Sequence, residues 1–124
     1  MRTAVLIAAV ALSTAVWLDA QGTPQPSGVD GTLRVILLGT QGGPTFSPQR
    51  LGISTLVVAG RERLLFDAGR GTTSGLARVA INPADVSKVF LTHLHSDHVI
   101  SLPELLISPW ASQGRPVPLQ VWGP

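Results

Sequence analysis

The sequence holds 124 residues, 44% hydrophobic and 13% charged, with 13 Gly and 10 Pro, which excludes a disordered tail or a coiled coil and favours one globular unit. Its nine Lys and Arg outweigh seven Asp and Glu for a net charge of +2, but Arg34, Arg50, Arg61, Arg63, Arg70, Arg78, Lys88 and Arg115 are scattered along the chain. A polyanion-binding stripe would gather them on one face. The absence of cysteine rules out disulfides, thiolate ligands, a cysteine nucleophile and a lipid-modified N-terminal cysteine, so a divalent metal must be held by imidazole and carboxylate.

Residues 1–20, MRTAVLIAAVALSTAVWLDA, carry one early charge at Arg2, an apolar run over 4–16 and a small residue at Ala20. This is the pattern of a secretory signal peptide, cleaved near Ala20, and it implies a periplasmic or secreted protein. The run is short for a stable membrane anchor and is interrupted by Ser13 and Thr14. If the leader does not function, the protein is cytoplasmic. Residues 21–31, QGTPQPSGVDG, have linker composition.

The apolar, Gly-bounded run TLRVILLG (32–39) predicts a buried strand, followed by a Gly- and Pro-rich loop over 40–52. ISTLVVAG and RERLLFDAG predict a hairpin turning around Ala59-Gly60-Arg61-Glu62, with the second strand ending at Asp67. In RGTTSGLARVA, Thr72, Thr73 or Ser74 is the expected helix N-cap, with Leu76, Val79 and Ala80 at helical spacing. A loop containing Pro83 leads to a strand over 88–91. A second helix is expected to start at Asp97 or His98 and to present Leu102, Leu105 and Leu106 on one face, with Pro103 in its first turn. SPWASQGRPVP reads as a loop and LQVW as the start of a strand. Strands leading to helices predict an α/β fold with helices covering a sheet.

Every histidine lies in LTHLHSDHVISLPELL (91–106). In an extended segment, residues two apart project to the same side, so His93 and His95 form a natural ligand pair. Asp97 and His98 follow after the chain turns and point elsewhere. That arrangement favours two neighbouring ion positions, and ions roughly 3.5–4 Å apart can share and acidify a water. The alternative is a solvated loop or an adventitious nickel-binding tract.

The motif HLHSDH resembles the signature of the metallo-β-lactamase fold, a four-layer αββα sandwich with a dinuclear metal site at one edge. Together with LLGTQGGPTFSPQRLGISTLVVAGRERLLFDAGRGT, VFLTHLHSDHV, LPELL and PLQVWGP, covering about residues 33–124, it is similar to the ribonuclease Z and arylsulfatase-like branch. The resemblance implies that these residues form the N-terminal half of the sandwich. It implies two Zn2+ ions, one on His93 and His95 and the other on Asp97 and His98, with Asp97 also accepting the proton of the attacking water. Asp67 matches the family's buried acidic residue that orients the ligand loop, its alternative being a loop cap. Arg70, Thr72 and Thr73 are candidate phosphate or sulfate contacts, helix capping being the alternative for the threonines, and Arg50 is read as a surface residue. Ser101 stands where the branch has Gly.

The family's later His, bridging Asp and last His are absent from these residues, so little activity is expected of residues 1–124 alone. For the intact enzyme the resemblance implies a metal-dependent hydrolase of a phosphodiester or sulfate ester, and it implies a homodimer. A tRNA 3′-processing endoribonuclease is the alternative, which the leader disfavours because an exported protein does not meet tRNA precursors. A degenerate, non-catalytic metal-binding module is the rival from another class.

Overall fold

Five strands, β1 (Leu33–Gly39), β2 (Ser54–Ala59), β3 (Glu62–Phe66), β4 (Lys88–Phe90) and β5 (Gln120–Trp122), lie side by side in chain order in one sheet. The computed structural model describes residues 32–124. The leader expected at 1–20 and the linker at 21–31 lie outside them. β1, β2 and β3 are rich in Val, Ile and Leu, residues that suit a pleated surface, and pair antiparallel. The hairpin closes over Gly60-Arg61 with Ala59 opposite Glu62, and Gly60 takes φ 58°, a left-handed conformation that glycine adopts without a Cβ clash.

β4 and β5 join in parallel, and parallel neighbours require crossovers. The first carries α1 (Thr72–Arg78) and a short 3-10 turn (Pro83–Asp85), and the second carries α2 (Ser96–Val99) and α3 (Leu102–Gln113). Two consecutive β-α-β units bring the carboxyl ends of β3 and β4 together at one edge of the sheet. Open α/β sheets place their ligand sites at such an edge.

Strand alternation divides the residues between two faces. Ile36, Leu56, Leu65, Val89 and Val121 are register partners across one face, and Leu38, Leu56, Val58, Leu65 and Val89 of that face pack with Leu76, Val86 and Leu105 into the core. Leu56, Leu65, Leu76 and Leu105 are fully buried, each contributing about 2 kcal/mol of transfer free energy. On the other face Leu33, Val35 and Leu37 remain 58–67% exposed. There Phe66, Phe90 and Trp122 stack at centroid distances of 5.2 and 4.9 Å. None of the described elements covers this face. A second apolar layer is what a sheet of an αββα sandwich requires there, in agreement with the expected half-sandwich.

Three local expectations are corrected. The N-cap of α1 is Gly71, at φ 77° and without a side-chain cap; Thr72 begins the helix and its hydroxyl donates to the Gly69 carbonyl at 2.7 Å. The single second helix is two helices broken at Ile100-Ser101, with Pro103 in the first turn of α3; Leu105 is buried but Leu106 is 48% exposed, off the shared face. Finally, the chain stays helical to residue 113 through Pro109, where a loop was expected. Proline lacks the N–H that would reach the carbonyl four residues back, which here is Leu105. The Arg115 guanidinium supplies the missing donor, Nη2 to Leu105 O at 2.8 Å, and Nη1 also donates to Val86 O at 2.7 Å. Burial lowers the pKa of that guanidinium from its ordinary value.

Candidate metal centre

The histidine loop leaves β4 at its carboxyl end and is bound to the turn that follows β3. Asp67 N–H donates to Phe90 O at 2.9 Å, Ala68 N–H to His98 O at 2.7 Å and Ser101 N–H to Ala68 O at 2.9 Å. The backbones approach so closely that a Cβ on Gly69 would stand 2.5 Å from the Asp97 carbonyl oxygen. Only glycine allows that contact. Ser101, where a Gly was expected, uses its hydroxyl to accept the Gly71 N–H at 3.1 Å and so adds a further tie between the two turns.

Asp67 is buried at the centre of this junction with a left-handed backbone, φ 61°. Aspartate tolerates that region better than most residues, but holding it there requires surrounding bonds. Its Oδ1 accepts Thr92 N–H at 2.9 Å, and Thr92 Oγ1 lies 3.1 and 3.0 Å from Oδ1 and Oδ2. Its Oδ2 lies 2.8 Å from His98 Nδ1. Of the two readings of this residue, the one that orients the ligand loop fits these contacts. An acceptor at that position assigns the His98 proton to Nδ1 and leaves the Nε2 lone pair facing Asp97, whose Oδ2 is 3.5 Å away.

His93 and His95 meet at the neighbouring corner. His93 Nε2 and His95 Nδ1 are 3.1 Å apart, their rings set edge to face at 78°. Thr92 Oγ1 lies 3.1 Å from His93 Nδ1, which favours the proton on Nδ1 and a lone pair on Nε2. Two ligands ~2.0–2.1 Å from a tetrahedral zinc are separated by ~3.3 Å. The pairs His93 with His95, and Asp97 with His98, both have spacings close to that value. The two pairs adjoin, since the His93 and His98 rings are 3.9 Å apart. Among the described residues no three His, Asp or Glu side chains converge on one ion position. The donors present form two adjoining pairs, one of two imidazole nitrogens and one of an imidazole nitrogen and a carboxylate oxygen.

The Asp97 side chain is 14% exposed. Desolvation pushes its carboxyl up, but Gly43 N–H, donating to Oδ2 at 2.7 Å, its own backbone N–H and the His98 and His95 imidazoles outweigh that, holding the group below the usual carboxylate range. An open cleft lined by Gly43, Pro44, His95, Ser96 and Asp97 leads to it.

The other candidate residues lie around this centre. Arg70 stacks its guanidinium on Phe46, 3.8 Å from the ring centroid. Thr72 and Thr73 are buried, and the Thr72 hydroxyl is committed to Gly69, so it does not act as an anion contact. Arg50 is exposed on the 40–53 loop, as a surface residue should be. Sequence reasoning missed Thr92, Gly43 and Phe46. Thr92 could have been found as the residue between a strand end and the first histidine; Gly43 and Phe46 carry no comparable signal.

Comparison with known proteins gives consistent matches. A family model, described as the metallo-beta-lactamase superfamily, matches residues 48–124. Ribonuclease Z of Mycobacterium marinum is 47% identical over 94 residues, covering 74% of this chain and 33% of the relative. Ribonuclease Z of Mycolicibacterium gilvum is 44% identical over 94 residues, covering 74% of this chain and 32% of the relative. Among solved structures, human tRNase Z, short form, superposes with a TM-score of 0.64 at 34% identity, over 73% of this chain and 34% of that one. A metallo-beta-lactamase fold protein of Bacillus subtilis gives 0.62 at 22% identity over 73% and 37%, a likeness of fold alone. The chain spans about a third of the length of the curated relatives it matches.

Proposed function

This chain belongs to the metallo-beta-lactamase superfamily, and from that premise we propose that it contributes part of the active site of a metal-dependent hydrolase acting on a phosphodiester, with sulfate esters as the related anionic substrates. The observation that carries the reading is the pair of adjoining donor sets at the carboxyl end of β4, His93 with His95 and Asp97 with His98, backed by Asp67. Zinc, the metal that imidazole and carboxylate donors suit, supplies Lewis acidity at the substrate oxygen and acidifies water. His93 Nε2, His95 Nδ1, His98 Nε2 and the Asp97 carboxylate would hold it. Thr92 and Asp67 keep the His93 and His98 lone pairs pointed inward. Asp97, ionised by its hydrogen bonds, takes the proton of the attacking water.

Residues 1–20 support export in this reading and favour a small or extracellular ester. A second reading, a tRNA 3′-processing endoribonuclease, is favoured by the relatives named Ribonuclease Z. The protein expressed from its complete open reading frame separates the two. It is assayed with zinc against bis(p-nitrophenyl) phosphate, p-nitrophenyl sulfate and a precursor tRNA, while secretion is followed by N-terminal sequencing. Turnover lost by at least about 1,000-fold in Asp97→Ala is expected. Equal turnover in that variant refutes the role of Asp97, and no turnover of any ester supports the degenerate module instead.

A further inference from the structure

Phe46 presents an aromatic ring to solvent, 80% exposed, on the loop whose Gly43 and Pro44 line the cleft. Its loop is fastened to the centre, since Gly43 N–H holds Asp97 Oδ2. Phe46 follows Gly43 by three positions, a span of at most about 11 Å. Arg70 is next in sequence to Gly69, the residue packed against the Asp97 carbonyl. The Arg70 carbonyl accepts the Gly52 N–H at 2.8 Å, which anchors its backbone to the foot of the same loop. Its guanidinium then covers one face of the Phe46 ring, and the described residues give it no carboxylate partner. The ring is thus braced on one face by the guanidinium and left open to solvent on the other, on a loop tied to the centre.

We propose that Phe46, backed by Arg70, is a stacking platform for a planar ring attached to the substrate phosphate, so that Phe46 selects the ring and Arg70 attracts the adjoining anion. The inference rests on the hydrolase reading and deepens it by naming the substrate class, a phosphate ester carrying an aromatic ring. Every such ring has a π-face, so the platform accepts a nucleobase or a simple aryl group alike. The guanidinium, delocalised and planar, stacks on Phe46 while its N–H edge stays available to phosphate oxygens.

The zinc-loaded protein from its complete open reading frame is titrated calorimetrically with methyl phosphate, p-nitrophenyl phosphate and thymidine 5′-monophosphate. The two ring-bearing esters are expected to bind about 5- to 100-fold more tightly than methyl phosphate. Phe46→Ala and Phe46→Leu should each reduce that preference to less than about 2-fold, while Phe46→Trp retains it. Because Phe46 lies at the surface, these substitutions remove no core contact. The tighter of the two ring-bearing ligands identifies the source, nucleic acid or aryl ester, and either ranking upholds the platform. A ring preference that survives in Phe46→Leu, or that is absent from the unsubstituted protein, overturns it. Hydrolysis of bis(p-nitrophenyl) phosphate is followed separately: turnover without ring preference counts against the platform alone, and ring preference without turnover counts against the hydrolase reading alone.

Discussion

Replacing Asp67 with Asn changes one atom's chemistry at the point where the centre is oriented. Thr92 N–H reaches Oδ1 at 2.9 Å, and its hydroxyl lies 3.1 Å from the same oxygen, so this position demands an acceptor. The Asn amide oxygen must therefore take the Oδ1 position, which puts the NH2 at Oδ2, 2.8 Å from His98 Nδ1. Two donors cannot share that contact, and His98 must move its proton to Nε2. Nε2 is the atom that faces Asp97, and once protonated it no longer offers a lone pair. Partners that orient a ligand in this way are worth 10- to 100-fold in metal affinity, or about 1.4–2.7 kcal/mol. Asparagine accepts the φ of 61° as readily as aspartate does, so the substitution adds no backbone strain. Asp67→Ala adds about 1 kcal/mol of left-handed strain on top of the lost acceptor. Zinc affinity is measured by competition with a chromophoric chelator, and the His98 tautomer by nitrogen-detected NMR. Wild-type zinc affinity in Asp67→Asn, with the proton still on Nδ1, would refute the reasoning.

The low pKa of Asp97 makes a pH prediction for the metal-free protein. Its folded pKa lies below the ordinary 3.8, so its stabilising contribution is fully present above that pH and is lost as pH falls through the lowered folded value. The stability difference between the unsubstituted protein and Asp97→Asn, from urea unfolding, should be present at about pH 5 and shrink below about pH 4. A difference that does not shrink as pH falls below about 4 contradicts the assignment. Arg115→Ala removes the donors that satisfy Leu105 O and Val86 O, and should cost about 2–4 kcal/mol in urea unfolding, a charged donor contributing about 1.5–3 kcal/mol per bond before solvent access reduces it. A loss below about 0.5 kcal/mol would mean that water replaces the guanidinium.

The donor residues were legible because the rule that makes them a site is local. His93 and His95 sit two apart at the end of an extended segment, and alternation alone turns both to one side. The hairpin was equally legible, since Gly60 supplies the left-handed turn and the flanking runs suit strands. Asp67 could be named from its motif, but its orientation could not, because its partner Thr92 lies 25 residues away. The loop expected from residue 108 gave way to helix as far as residue 113 for a similar reason. Proline is a helix breaker when judged from neighbouring residues, and its compensation at Leu105 O arrives from Arg115, beyond the helix end.

By itself, then, the sequence determined what short-range sterics and side-chain periodicity decide: the strands, the turn between β2 and β3, and the clustering of three imidazoles and a carboxylate. Only the tertiary structure decided which sheet face is covered, that Gly43 reaches across 54 positions to Asp97, and that Arg70 braces Phe46. Those features depend on where crossovers return the chain, and hydrogen bonds and cation–π contacts form only once distant backbones lie within a few ångströms of each other.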